Sequence, residues 1–265
     1  MKHLLQRIIT FLVPLPVVLA ACLLPADWPA VAMVVAAAAL CALEACALLR
    51  LRGVSRAFAI VAAAAAPVCV WAGAGPWALA PWLAAVVTAG GLLALAEPIG
   101  SAAWQRLILA AVYCGALPAH GVAMKMRIPG GGRFLLWTLF VVWAADAAAY
   151  LVGRAVGRRP LFPRVSPKKT VEGLLGSCLG AVLVGVVGYV LLRPELSAAQ
   201  ALILPVVLSL VGAVGDLVES ALKREAGVKD SGKLLPGHGG MLDALDSAMF
   251  AVPAAFWLWI VMEMR

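Results

Sequence analysis

The residues best suited to chemistry are acidic and basic side chains near two apolar runs in the last third of the chain. Asp216, Glu219 and Lys223 are spaced by three and four residues, which places them on one face of a helix. Asp243 and Asp246 are three residues apart and share a face at the start of the last apolar run. Carboxylates collected on two helices suit Mg²⁺ that holds a polyphosphate. The pattern therefore predicts a metal and phosphate site.

The segment between these two acidic groups is polar and rich in glycine. The backbone N–H groups of such a loop approach phosphates closely, and neighbouring lysines supply positive charge. The residues that this argument selects are Lys229, Asp230, His238, Gly239 and Gly240.

Some candidate residues also have purely structural explanations when they are taken singly. Asp146 interrupts another apolar run and therefore needs a partner, which Arg154 two turns later could provide. His238 could be an ordinary loop residue, and Lys168 and Lys169 could anchor the chain at a membrane surface. A helix N-cap explains one of the two aspartates of the last run but not both. The sequence leaves these alternatives open, but the acids and bases together favour a functional site.

The composition requires these residues to be positioned by membrane helices. Of 265 residues, 64% are hydrophobic and 13% are charged, and the mean hydropathy is +1.01. A charged fraction of roughly 25% is usual in soluble domains, so a soluble enzyme is excluded. We expect an all-α polytopic integral membrane protein with about nine transmembrane helices. The net charge of +8 indicates loops beside anionic lipid and does not favour nucleic acid as a partner.

The apolar runs divide the chain into a single membrane domain, 1–265, with two unequal parts. Residues 1–140 contain only three acidic residues and are predicted to be mainly scaffold, whereas 141–265 is predicted to be the catalytic half. A span needs about 20 residues. The predicted spans are 8–24, 28–49, 57–73, 76–96, 106–122, 134–153, 174–192, 199–219 and 247–264.

The distribution of basic residues predicts the orientation. With nine spans and the N-terminus inside, 16 of the 21 Lys and Arg residues lie on the inner side. A basic cluster at 125–133 falls on the outer side, either as a surface loop or because the count of preceding spans is off by one. Residues 19–22 also resemble a lipoprotein cleavage box ending at Cys22, but we favour a first transmembrane helix.

Three segments resemble the phosphatidate cytidylyltransferase family, also called CDP-diacylglycerol synthases. The opening residues Gln6-Arg7-Ile8-Ile9-Thr10 are typical of it. A second segment reads Trp143-Ala-Ala-Asp146-x3-Tyr150-x2-Gly153-Arg154-x2-Gly157-Arg158, followed by Ser166-Pro167-Lys168-Lys169-Thr170-x-Glu172-Gly173. The family signature is matched by Ser220-Ala-Leu-Lys223-Arg224-x4-Lys229-Asp230-Ser-Gly-x2-Leu235-Pro236-Gly-His238-Gly239-Gly240-Met-Leu-Asp243-Ala244-Leu-Asp246. One position departs from the pattern, because Ala244 stands where the family has Arg.

The resemblance implies that CTP and phosphatidate react to give CDP-diacylglycerol and pyrophosphate in phospholipid biosynthesis. It implies Mg²⁺, with a second cation left open, and the metal ligands Asp216, Asp243, Asp246, Glu219 and Asp146. The catalytic group expected from it is Asp216, Lys223, Asp243 and Asp246. The substrate-binding group expected from it is Lys168, Lys169, Arg224, Lys229, Asp230, His238, Gly239 and Gly240.

Two other functions remain as alternatives at this point. A CTP-dependent polyprenol or phytol kinase would share helices and metal acids but would phosphorylate an alcohol. An ion-coupled transporter would have acids spread through both leaflets, whereas here they cluster at one side beside basic loops. The family resemblance also implies a multi-pass protein of the inner (plasma) membrane whose active site faces the cytoplasm, in contact with membrane lipids. Whether the chain forms a homodimer is left open.

Overall fold

Long α-helices account for most of the structure, a computed structural model that describes residues 13–73, 75–96, 100–192, 196–237 and 239–263. Within these residues, eight helices are long and apolar enough to cross a membrane. The prediction of an all-α, multi-pass membrane protein is therefore confirmed. The α-helices are α1 (Leu15–Leu23), α2 (Trp28–Leu48), α3 (Gly53–Ala72), α4 (Leu79–Ala96), α5 (Gly100–Ala111), α6 (Leu117–Arg127), α7 (Gly131–Val156), α8 (Val171–Leu192), α9 (Ala198–Ala226) and α10 (Met241–Glu263). A 3-10 turn (Pro76–Ala78) precedes α4, and a π-helical turn (Val112–Ala116) joins α5 to α6.

The last eight predicted spans each correspond to one of these candidate spans. The first predicted span, 8–24, lies partly outside the described residues, so it stays a prediction. The largest differences in bounds occur beside the candidate site, where α9 extends to Ala226 and α10 begins at Met241. Hydropathy detects only the apolar part of a helix, whereas helical hydrogen bonding continues through the polar turns that carry the acids and bases.

The basic cluster 125–133 is not a surface loop, which corrects one of the two explanations given for it. Helix α6 continues to Arg127 and α7 begins at Gly131, so the connection is only a short turn. The Lys125 ammonium group donates hydrogen bonds to the carbonyl oxygens of Ala21 (2.6 Å), Leu24 (2.9 Å) and Ala26 (2.9 Å). Lys125 therefore stabilises the end of α1 and the turn after it, a structural role that is independent of the positive-inside rule.

Helices α7 and α8 pack closely because the face of α8 towards α7 is built from glycine. An added Cβ at Gly176 would meet the side chain of Val152, and one at Gly180 would overlap Ala148. Small residues of this kind let helix backbones approach in membranes. The close packing fixes the ends of α7 and α8 that hold the segment between them.

That segment forms a small antiparallel hairpin that the sequence did not predict. Strand β1 (Pro160–Phe162) pairs with β2 (Ser166–Thr170). The Glu172 carboxylate accepts hydrogen bonds from the backbone N–H groups of Arg158 (3.0 Å) and Arg159 (3.2 Å). The Thr170 hydroxyl accepts from the N–H of Gly173 (3.0 Å) and so caps the start of α8. These contacts hold Lys168 and Lys169 next to α9.

Candidate active site

The pocket side of α9 carries the residues whose spacing predicted a shared face. Glu219 and Lys223 are buried, and Asp216 is partly exposed towards a pocket. Lys223 forms an ion pair with Glu219 one turn away. The helix ends at Gly227, whose φ of 76° is the left-handed conformation that favours glycine. The shared face predicted from the sequence is present in the structure.

Three carboxylates from α9 and α10 lie close enough together to hold a metal ion. One oxygen each from Asp216, Glu219 and Asp246 lies within 4.8 Å of the others. The Glu219 side chain is fully buried. Its Oε2 is paired with Lys223, and no donor among the described residues reaches its Oε1. A buried acid with one unpartnered oxygen and two carboxylate neighbours fits a divalent cation with oxygen ligands. We refer to these three residues as the acid cluster.

Asp243 lies outside the acid cluster, although the family resemblance assigns it as a metal ligand. Its Oδ1 accepts from Lys223 Nζ (2.6 Å), and its Oδ2 accepts from the N–H of Ser231 (2.8 Å) and the N–H of Gly240 (2.7 Å). The bond from Gly240 corresponds to half of a capping box at the start of α10. Both carboxylate oxygens are thus engaged by the protein, and a metal role for Asp243 stays a prediction.

Asp146 is placed near the acid cluster by α7, but its contacts differ from those proposed in the structural alternative. Its Oδ1 accepts from Ser247 Oγ (3.1 Å), whereas Arg154 donates to the hydroxyl of Tyr150 (3.2 Å). Asp146 also has Asp216 as a charged neighbour. The structure therefore gives Asp146 a partner on α10 and leaves its metal role as a prediction.

A pocket of about 360 Å³ opens beside the acid cluster and combines both signs of charge. Its basic side chains suit phosphate groups, while its carboxylates suit a metal ion that bridges to them. The pocket is lined by Ser166, Pro167, Lys168, Asp216, Lys223, Arg224, Lys229, Asp230, Asp243 and Asp246. Most of the residues predicted from the sequence are thus brought together, from the hairpin, α9, the loop after α9, and α10.

The remaining predicted residues lie around this pocket in different roles. Lys169 Nζ forms an ion pair with Asp216 Oδ2 at 2.5 Å. Arg224 donates to the carbonyl oxygens of Val165 (3.3 Å) and Val228 (2.9 Å), which ties the hairpin to the end of α9. His238 lies outside the described residues, and its substrate role stays a prediction.

The turn that contains the last two signature glycines is itself constrained. Leu235 and Gly239 exchange two backbone hydrogen bonds of 2.8 and 3.0 Å. Gly239 has a φ of 106°, and a Cβ there would lie 2.5 Å from Asp243 Oδ2. Gly239 thus lets the backbone approach Asp243, and a Cβ at Gly240 would meet Glu44 and Ser231, so neither glycine depends on a phosphate contact alone.

Sequence reasoning missed Glu44, which α2 brings into the signature segment. Its carboxylate accepts hydrogen bonds from the N–H groups of Met241 (3.0 Å) and Leu242 (2.9 Å). Glu44 belongs to the part of the chain predicted to be scaffold, and an isolated acid in an apolar run has no motif around it. The one available signal was the cost of burying an unpaired carboxylate in an apolar run.

Tyr113 is a second residue that no pattern marked. It lies in the π-helical turn and packs edge-on against Phe250 of α10, with ring centroids 6.1 Å apart. The side chain is 5% exposed, and its hydroxyl has no hydrogen-bond partner in the described part of the chain. Asp246 and Glu219 are among its charged neighbours. An aromatic residue in an apolar run is normally read as core, and π-helical turns are not recognisable from sequence.

Comparison with known proteins supports the reading of the signature. The phosphatidate cytidylyltransferase of Bacillus subtilis (strain 168) is 38% identical over 152 residues, which cover 57% of this chain and 56% of the relative. The phosphatidate cytidylyltransferase of Staphylococcus epidermidis (strain ATCC 12228) is 46% identical over 123 residues, covering 46% and 47%. The uncharacterized protein YnbB of Escherichia coli (strain K12) is 45% identical over 131 residues, covering 49% and 44%. The chain thus spans about half the length of these relatives.

The match to the family as a whole is much longer than the match to any of these relatives. Residues 5–262 match the family described as "Cytidylyltransferase family". The matched range includes the acid cluster, the hairpin and α2 with Glu44. Because this match extends over nearly the whole chain, the protein belongs to the cytidylyltransferase family.

Proposed function

We propose that this protein transfers the cytidylyl group of CTP to phosphatidate and releases pyrophosphate. The observation that carries the proposal is the pocket itself, in which Asp216 and Asp246 of the acid cluster lie among basic side chains, most of them from the signature segment. The names of two similar bacterial proteins, both phosphatidate cytidylyltransferases, support the choice of substrates.

The reaction needs positioning and charge neutralisation more than a strong base. A phosphate oxygen of phosphatidate, already anionic at neutral pH, attacks the α-phosphorus of CTP. A new P–O bond forms, the bond between the α-phosphorus and the bridging oxygen breaks, and pyrophosphate leaves with that oxygen. The barrier for such transfers is lowered mainly by groups that hold the reactants in line and stabilise the charge on the phosphoryl oxygens.

The residues of the pocket divide these tasks between them. Lys168 and Lys229 are exposed, line the pocket and would bind the phosphates of CTP or the lipid head group. Lys223 is buried between Glu219 and Asp243, so its charge fixes those two acids. The acid cluster would hold Mg²⁺, which supplies Lewis-acid stabilisation of the triphosphate when it is bound.

The membrane location of the pocket suits a lipid substrate. The pocket lies between the hairpin that joins α7 to α8, the last turns of α9, the loop after α9 and the start of α10. Phosphatidate would enter between helices from the bilayer, and CTP would enter from the water phase. Because CTP is cytoplasmic, we expect this end to face the cytoplasm, in the inner membrane of a bacterial cell.

The first test is an assay of the purified protein in detergent with labelled CTP and phosphatidate. We expect labelled CDP-diacylglycerol and pyrophosphate to form in the presence of Mg²⁺ and not after chelation with EDTA. Parallel reactions should replace phosphatidate by diacylglycerol or by a polyprenol. Release of CDP together with a phosphorylated alcohol would replace the proposal by the lipid kinase alternative, and no product with any acceptor would overturn it.

The orientation is tested separately by labelling in intact cells. Lys233 is exposed in the loop after α9, so Lys233→Cys in a background without accessible native cysteines gives a defined reporter. We expect an impermeant thiol reagent to label it only after the cells are opened. Labelling from outside would place the pocket on the other side of the membrane.

A further inference from the structure

Glu44 contacts a segment of the chain that is almost 200 residues away. It lies in the last turns of α2 and is 7% exposed. Its Oε1 accepts a hydrogen bond from the N–H of Met241 (3.0 Å), and its Oε2 accepts from the N–H of Leu242 (2.9 Å). Ser231 Oγ lies 2.9 Å from the same Oε2. These contacts join α2 to both ends of the glycine-rich segment.

The start of α10 has a physical need for such a partner. The first N–H groups of any helix lack partners within that helix, and they are usually satisfied by an N-cap side chain. Gly240 immediately precedes α10 and has no side chain to offer. The Glu44 carboxylate supplies the acceptor in its place, with the favourable charge for a helix N-terminus.

The second link passes through Ser231. The serine hydroxyl lies 2.9 Å from Glu44 Oε2 and 2.8 Å from Asp243 Oδ2, and the serine N–H donates to the same Asp243 oxygen (2.8 Å). Lys229 and Asp230, the residues before Ser231, line the pocket. The position of the pocket loop thus depends on a serine that is held between two carboxylates.

Two glycines of the signature leave room for the Glu44 side chain. A Cβ at Gly232 would lie 2.8 Å from the carboxylate carbon of Glu44, and a Cβ at Gly240 would lie 2.5 Å from it. Non-bonded carbon atoms do not approach this closely, so any larger residue at either position would displace the carboxylate or the loop. The glycines and Glu44 therefore form one packed unit.

We propose that Glu44 is a positioning residue for the nucleotide, which sets the conformation of residues 227–237 and 239–242 from a helix outside the predicted catalytic half. The proposal rests on the proposed function, in which this segment binds the phosphates of CTP. Glu44 does not line the pocket and therefore acts through Ser231, Asp243 and the start of α10. Its loss is expected to weaken CTP binding more than phosphatidate binding.

The test compares Glu44→Gln with the control Glu225→Gln. Both variants replace a carboxylate by an amide of the same size, but Glu225 is exposed on α9, where it does not line the pocket. In Glu44→Gln, an amide N–H₂ group faces donors, so at least one hydrogen bond to α10 or Ser231 is lost. We expect the KM for CTP to rise about tenfold. A tenfold change corresponds to about 1.4 kcal/mol, which is close to the contribution of one charge-assisted hydrogen bond. The KM for phosphatidate should change less than about twofold.

Hydrogen exchange without substrate provides a second readout that does not depend on the reaction. The amides of 231–242 should exchange faster in Glu44→Gln, while those of α7 and α8 keep the rates of the unmodified protein. If the unmodified protein forms no CDP-diacylglycerol, the proposed function fails. The hydrogen-exchange experiment still decides whether Glu44 fixes the loop. Unchanged exchange in 231–242 together with an unchanged KM for CTP would overturn the proposal. So would faster exchange throughout the protein with an unchanged KM, which indicates a general structural role.

Ser231→Ala is a second variant that tests the same proposal if Glu44→Gln does not fold. It removes the hydroxyl between the two carboxylates and leaves Glu44 in contact with α10. We expect a smaller increase of the KM for CTP in the same direction, with faster exchange limited to the loop. An unchanged KM in this variant would contradict the link from Glu44 to the pocket loop.

Discussion

The carboxylates near α9 and α10 fall into two groups that differ in how fully the protein satisfies them. In the acid cluster, Glu219 is buried with Lys223 paired to its Oε2 and no described donor at its Oε1, and its neighbours Asp216 and Asp246 line the pocket. In the second group, Glu44 and Asp243 accept several hydrogen bonds each from the signature segment. An acid with free acceptors is poised to bind a ligand, whereas a saturated acid holds its own chain in place. Position in a motif does not distinguish these roles.

The largest effect is expected from a substitution in the acid cluster. Asp246→Asn should lower kcat at least about 100-fold, because an amide oxygen carries no net charge and binds Mg²⁺ poorly. The melting temperature should stay close to that of the unmodified protein, since Asp246 forms no ion pair with any residue that the structure describes. Activity assays in detergent measure the change in kcat, and thermal unfolding in detergent measures the change in melting temperature. Mn²⁺ binding followed by electron paramagnetic resonance reports on the metal site directly.

The same experiment on Glu225→Gln provides the control, and it should bind Mn²⁺ like the unmodified protein. If Asp246→Asn keeps more than about a tenth of the activity, the residue is not a primary metal ligand (~1.4 kcal/mol in the barrier).

A smaller loss of activity but a larger loss of stability is expected for Asp243→Asn. The substitution weakens the contact with Lys223 and the bonds from Ser231 and Gly240. Losing buried hydrogen-bonded partners costs about 1–3 kcal/mol, so we expect a clear decrease in melting temperature and a kcat/KM for CTP lower by about 10- to 100-fold. Mn²⁺ should still bind. Loss of Mn²⁺ binding with an unchanged melting temperature would instead support the metal role that the family resemblance implies.

The fold could be predicted well from the sequence because membrane helices are encoded in single apolar runs. Each of the last eight predicted runs corresponds to a candidate span, and the spacing of Asp216, Glu219 and Lys223 correctly predicted a shared face. The hairpin at 160–170 was missed, because its strands are short and each contains a proline, without the alternation of apolar and polar residues that identifies strands.

The candidate site was harder to predict because its organisation depends on contacts between distant segments. Motif residues were selected by type, and most of them do line the pocket. Which of the acids keep an unpartnered oxygen and which accept hydrogen bonds at both oxygens depends on contacts between distant segments. The local sequence does not encode these contacts. Glu44 shows this most clearly, since its partners lie up to 198 residues away. The division into a scaffold part and a catalytic part stays a prediction, and Glu44 is the residue that links the two.

Gly232→Ala tests the packing of the loop against Glu44. Its effect on activity should be smaller than those of the two aspartate substitutions. The added methyl group would overlap the Glu44 carboxylate and shift the loop. Overpacking of this kind costs about 1–3 kcal/mol, so we expect the KM for CTP to rise roughly fivefold to tenfold. Gly91→Ala is the matched control, because its Cβ would make only ordinary contact with Trp104 at 3.7 Å. An unchanged KM for Gly232→Ala would show that the loop tolerates displacement of Glu44.

The smallest effect is expected at Ala244, where the family has Arg. The position is partly buried between Asp243 of the saturated group and Asp246 of the acid cluster. A guanidinium group there would reach a phosphate of CTP or of the lipid and bind it in a bidentate manner. Because the pocket already contains Lys168, Lys223, Arg224 and Lys229, we expect Ala244→Arg to lower the KM of one substrate by only about threefold to tenfold.

Steady-state kinetics of Ala244→Arg with each substrate varied in turn distinguish two views of this position. A lower KM for CTP alone would place the missing guanidinium beside the triphosphate, on the side of the saturated acids. A lower KM for phosphatidate alone would place it beside the lipid head group. If both KM values stay the same or rise, the existing cations already fill the space and repel another charge. In that case Ala244 belongs to a site with a different arrangement of cations from that of the family pattern.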